Sequence, residues 1–330
     1  MLFSQRKDRC LVSKMTFALG FSLIFSAAWA APRQPVADSE VLEKLPWRAA
    51  DNRALAEYRS AAAKAPTDPA PATRLAIQYF DLAMAQGDPR YIGYAEAVVS
   101  RFTNAMPADM RVVRGQLLQY RHDFAGALGE FAQALAMDPG LAQAHAWRAA
   151  LYLVQANYAS ARMECEALNR LGRMSLFGAC LGLTQAYNGQ LEAGYASLQK
   201  ALRATSDDDN RLWLLTRLGE VAAWRGKPEQ AAIHYQEALA LGRDDGYLLA
   251  AWSDFLLDQG RPAEVVKLLA RWEASDGLLL RLTEAEAALK MPAASKHAQM
   301  MEDRFDAARL RGDTTHRAEE ARFRLRLRND

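Results

Sequence analysis

The side chains that could do covalent or metal chemistry are few and far apart. Cysteine occurs three times, at Cys10, Cys165 and Cys180, and no C-x-x-C is present. Thiol redox and zinc sites both depend on such close spacing. The five histidines, His122, His145, His234, His297 and His316, are scattered, and H-E-x-x-H is absent. Glu164 and Glu166 flank Cys165 but have no partner arranged for proton transfer. Serines such as Ser26 and Ser175 lack the glycine-flanked elbow that exposes a nucleophile. The expectation is a chain that is not an enzyme, with no cofactor and no metal site.

The cysteine pair depends on compartment. The first thirty residues have the three parts of a secretory signal. Arg6, Lys7, Arg9 and Lys14 form a basic start, Phe17 to Ser26 run almost wholly apolar, and Ala28-Trp29-Ala30 is a small-x-small cleavage site. The apolar run is short for a membrane span. An exported chain is therefore expected, periplasmic in the first instance and secreted as the alternative, with no integral membrane segment after cleavage. Cys165 and Cys180 would then meet an oxidising environment, in which pairing is favoured over two buried thiols.

Charge excludes some partners. The chain holds 41 basic and 39 acidic side chains. Removing residues 1–30 takes four basic groups and Asp8, leaving 37 basic against 38 acidic and a net charge near −1. Such balance gives no basic surface for nucleic acid.

The elements that must position everything else are repeated helices. Ala54, Tyr58, Ala61 and Pro66 share one spacing with Ala127, Phe131, Ala134 and Pro139; Ala231, Tyr235 and Ala238 repeat it, with Arg243 closing in place of proline. Small residues that open each second helix fall at Ala95, Ala127, Ala161, Gly194, Ala231 and Val265, at intervals of 32, 34, 33, 37 and 34 residues. Leu215, Leu218 and Gly219 mark a first helix, as do Leu181-Gly182, Gly115, and Ala149 with Tyr152. Gly226-Lys227-Pro228 and Gly260-Arg261-Pro262 end one helix and open the next. Asp138-Pro139-Gly140, Thr67-Asp68-Pro69, Asn188-Gly189 and Gly87-Asp88-Pro89 supply further breaks.

On these residues the chain resembles the tetratricopeptide repeat (TPR) family, and in particular exported bacterial members of uncharacterised function. The resemblance covers roughly residues 51–290 and implies an all-α, right-handed superhelical solenoid of antiparallel hairpins. The organisation expected is a signal peptide at 1–30, an extended leader at 31–50, the solenoid at 51–290, and a degenerate repeat or capping helices at 291–330. Small residues such as Gly219 should face the region of Ala231, with Leu215, Leu218 and Tyr235 packed around them. The tail Arg322 to Arg328 alternates like a strand, yet it follows good helix sequence, so a helix is expected.

The resemblance also implies a concave groove lined by first helices. Inward positions carry Tyr120, Tyr187 and Trp224 at one recurring place, Trp213 and Tyr247 at another, and Glu220 and Asp254 near them. Thr216 and Glu220 stand where a carboxylate-gripping groove would carry lysine and asparagine. The function implied is a protein-interaction scaffold of the bacterial cell envelope that binds a peptide or protein segment; a glycan or small-ligand receptor using the aromatic rings is the alternative. An antiparallel turn near Leu171-Gly172-Arg173 would bring Cys165 and Cys180 level.

Overall fold

The computed structural model describes residues 49–103, 106–313 and 317–328. The signal segment and most of the leader lie outside these residues. Helix α1 (Ala49–Lys64) precedes seven antiparallel hairpins. They pair α2 (Pro69–Gln86) with α3 (Arg90–Val99), α4 (Ala108–Tyr120) with α5 (Phe124–Met137), and α6 (Ala142–Val154) with α7 (Tyr158–Arg170). Then come α8 (Met174–Tyr187) with α9 (Leu191–Arg203) and α10 (Asp208–Trp224) with α11 (Pro228–Ala240). Finally α12 (Gly246–Asp258) pairs with α13 (Pro262–Leu269) and α14 (Asp276–Ala288) with α15 (Ala293–Leu310). No strand occurs among the described residues.

The turns follow from residue type. Gly226 and Gly260 take φ of 68° and 67°, the left-handed region that glycine enters without penalty. Pro228, Pro262 and Pro69 open α11, α13 and α2, where a missing N–H loses no bond. Asp68 caps α2 by accepting from the Ala70 N–H, and Asp123, Asn157, Asp207 and Asp245 cap later helices in the same way.

Within a hairpin, a small residue on the first helix admits a large one from the second, sixteen positions later. A Cβ on Gly115 would lie 2.5 Å from the Phe131 ring, one on Gly182 2.7 Å from Leu198, and one on Gly219 2.8 Å from the Tyr235 ring. Gly219 therefore makes room for Tyr235 rather than for Ala231. A second device recurs after one repeat. Glu130 of α5 holds Arg111 at 2.9 Å and Arg114 at 3.6 Å, and Glu164 of α7 holds His145 at 2.6 Å and Arg148 at 3.0 Å. Ala95, Ala127, Ala161, Ala231 and Val265 are all fully buried, which explains the regular spacing of small side chains.

The one long interval has a local cause. Helix α10 has 17 residues, whereas α4, α6 and α12 have 13 and α8 has 14. The extra turn pushes Asp208 and Asp209 forward at its N-terminus.

The array returns on itself. Helix α2 packs against α12, five hairpins on. Gly246 lets the Met84 carbonyl approach to 3.2 Å of where a Cβ would stand, and Gly87 leaves room for Ser275. Phe80 of α2 meets Trp147 of α6 edge-on, with centroids 6.0 Å apart. Helix α2 thus crosses the concave side, a feature absent from the repeat pattern.

The far end is helical, in place of the strand that its alternation imitates. Helix α16 (Arg317–Phe323) runs into a π-helical turn at Arg324–Arg328. Phe323 is fully buried against Phe305. Arg322 binds Glu284 at 2.6 Å and Asp254 at 2.7 Å, so arginine pairing, not strand pairing, fixes this segment.

Candidate binding groove

Helix α10 presents one chemically mixed face. Asp209, Trp213, Arg217, Glu220 and Trp224 recur at helical spacing, so they share a stripe about 22 Å long. Beside this stripe, α6, α8 and α10 enclose a cleft of 510 Å³. Its walls include Trp147, Leu153, Leu176, Tyr187 and Trp213, with Asp209, Asn210 and Arg217 as polar groups.

The rings here are half open. Trp213 is 38% exposed, Tyr187 44%, Trp224 45% and Tyr247 46%. Core aromatics are nearly closed to solvent, as Tyr235 and Phe131 are. Tyr187 and Trp224 meet edge-on at 5.3 Å. Exposed aromatic faces grouped this way are the usual anchors of a binding surface.

Arg217 ties the aromatics to a carboxylate. Its guanidinium lies 4.1 Å over the Tyr247 ring and 5.4 Å from that of Trp213. Nη1 donates to Glu220 at 2.9 Å and also to the Tyr247 hydroxyl, which itself donates to Glu220. Burial opposes the charge on Arg217, but Glu220 and Tyr247 outweigh it and raise its pKa. Burial likewise pushes the Tyr247 and Tyr187 hydroxyls up, so both stay protonated donors. The Nε–H of Arg217 is buried and has no acceptor.

The seven expected groove residues separate into two sets. Tyr187 and Trp213 line the cleft, Trp224 meets the Tyr187 ring edge-on, and Glu220 and Tyr247 bind Arg217. Asp254 is instead held at 2.7 Å by both Arg281 and Arg322, which lock α12 to α14 and α16. Tyr120 lies in a separate cavity of 340 Å³ beside Arg304 and Phe305 of α15. Both depart from a simple ladder because the array curls back and its last helices cover those positions.

Cys165 and Cys180 are joined by a disulfide across α7 and α8, with Cα atoms 5.5 Å apart. Cys180 is part of the cleft wall.

The sequence reading missed Arg217, although its place four residues after Trp213 and three before Glu220 marks the same helix face. Trp147 and α2 were missed because their contribution arises from curvature. Among the described residues no three His, Cys, Asp or Glu side chains converge as metal ligands, and no helix is long and apolar enough to cross a membrane.

No family model and no curated sequence matches the chain. Solved structures do. Yeast Tom70 aligns at 14% identity and a TM-score of 0.54 over 84% of this chain and 60% of that one. A chain of the APC/C hetero-tetramer Cut9–Hcn1 aligns at 15% identity and 0.51 over 76% and 49%. A tetratricopeptide repeat protein from Parabacteroides merdae aligns more loosely, at 14% identity and 0.46 over 76% and 91%. This chain thus spans less than two thirds of the Tom70 chain and about half of the chain from Cut9–Hcn1. At such identities the likeness concerns fold alone, and together with the repeat it makes the chain an all-α solenoid of TPR type.

Proposed function

We propose that this chain is a non-enzymatic interaction scaffold of the bacterial cell envelope that holds an extended peptide or protein segment in the cleft between α6, α8 and α10. The observation that carries the reading is the set of half-exposed rings, Tyr247 and Trp213 against the Arg217 guanidinium and Tyr187 against Trp224. A packed core would have closed these rings. A catalytic site would need free ionisable groups in the cleft, whereas Arg217 is engaged by Glu220 and Asp209 by Arg243. The envelope assignment rests on the signal-like residues 1–30 and on the Cys165–Cys180 bond, which suits an oxidising compartment.

A glycan-binding reading has one observation in its favour, since sugars also stack on open ring faces such as that of Trp224. Panning a phage-displayed random peptide library on the purified chain decides between them. The peptide reading expects enriched sequences that lose binding to Trp213→Ala. Enriched peptides that bind wild type and Trp213→Ala equally would remove the cleft from the account. Recovery of ligands from a glycan array alone would favour the second reading.

A further inference from the structure

The disulfide lies where the cleft meets the repeat core. Cys165 of α7 has no accessible surface, whereas Cys180 of α8 keeps 9% of its surface open. That opening faces the cleft, which Cys180 lines together with Leu176, Leu183 and Tyr187, residues that recur on one face of α8. On the α6 side the cleft is lined by three small residues, Ala146, Ala149 and Ala150. Ala146 and Ala149 also pack in one apolar cluster with both cysteines. Of the two sulfurs, only that of Cys180 is within reach of a molecule in the cleft.

Disulfides exchange by attack of a thiolate on one sulfur, so reach decides which half is modified. We propose that Cys180 is a thiol-exchange site opening into the cleft, and that it takes a small soluble thiol of the glutathione class. The incoming thiolate sulfur bonds to Cys180 Sγ as the Sγ–Sγ bond breaks, and Cys165 leaves with the electron pair. Cys165 then takes a proton from water. Thr184 is placed to hold the new thiol. Its Oγ1 lies 3.6 Å from Cys165 Sγ, and its own proton is donated to the Cys180 carbonyl at 2.8 Å. One disulfide replaces another, so no further oxidant or reductant is consumed.

Two consequences follow for the cleft. The adduct stands inside it, and α8 loses its covalent tie to α7, so occupancy and redox state change together. The pair lacks the C-x-x-C spacing of a dithiol catalyst, so it is modified by thiols and does not turn them over.

The test follows glutathione on the folded, full-length chain. Wild type exposed to reduced glutathione, quenched in acid and mapped by peptide mass should carry the adduct on Cys180 and a free thiol at Cys165. The single variants Cys165→Ala and Cys180→Ala, with folding checked by circular dichroism, separate the two thiols. Oxidised glutathione should modify Cys180 in the first more than about tenfold faster than Cys165 in the second, because a thiol without accessible surface reacts only when the fold opens. Ala146→Leu narrows the cleft beside Cys180 and should slow the wild-type reaction severalfold. An adduct mapped to Cys165, equal rates in the two single variants, or no wild-type adduct without denaturant would overturn the proposal. So would an unchanged rate in Ala146→Leu, since the thiol would then arrive by another path. None of these outcomes bears on the peptide reading, which the library tests separately.

Discussion

The Tyr235 ring occupies the space that a side chain at Gly219 would need, 2.8 Å from an ideal Cβ there. This contact fixes how closely α10 and α11 cross, and so where the α10 stripe faces. Gly219→Leu should lower stability by about 1–3 kcal/mol through overpacking. Gly129→Ala, in an open position mid-helix on α5, should instead be neutral or raise stability by up to about 1 kcal/mol. Urea denaturation of both variants checks the contrast; equal effects would mean that the glycine contact is not tight.

The Cys165–Cys180 bond closes a loop of 15 residues. Constraining a loop of that length stabilises by about 3 kcal/mol in the chain-entropy model. Reduction, or the double change Cys165→Ala and Cys180→Ala, should lower the denaturation midpoint accordingly. A reductant-insensitive midpoint for the wild-type chain would show that the bond is absent in solution.

Asp81 predicts a pH dependence. Surrounding protein, and next the charge of Asp209, push its carboxyl up to about 6. An unfolded aspartate titrates near 3.9, about two units lower, so the folded chain binds this proton more tightly. The group therefore favours the fold below about pH 4, and that contribution is lost as pH rises through about 6. Asp81→Asn should melt higher than wild type at pH 8 and show no advantage at pH 4. A difference of the same size at both values would remove this electrostatic account.

Arg322 anchors the end of the array. Its loss leaves Glu284, only 6% exposed at the side chain, with Arg326 at 3.8 Å as its remaining cation. Stranding a buried carboxylate commonly costs about 3 kcal/mol or more. Arg322→Met should therefore destabilise the chain and speed amide exchange in α16 and α14 first. Exchange that rises evenly along the whole array would argue against a local lock.

Much of this structure was legible in the residues, because helical repeats are built from nearest neighbours. Ala127, Ala161 and Ala231 announce the crossings, and Gly226 with Pro228 announces a turn. Tyr187, Trp213, Trp224, Glu220 and Tyr247 lie together because they belong to two adjoining repeats and one adjacent helix. Tyr120 and Asp254 do not join them. Their neighbours, α15 for one and α16 for the other, come from distant sequence and meet them only when the solenoid curls. Asp81 and Phe80 escaped notice for the same reason. Repeat spacing encodes local stacking and is silent on contacts five hairpins apart.

The central claim is that the concave cleft is the working surface. Its most direct test places a photo-crosslinking amino acid at Trp224 in host cells, with exposed Gln236 on α11 as the outer-face control. The account predicts a discrete protein adduct from position 224 and none from position 236. An adduct from position 236 alone would place recognition on the outer face and contradict it.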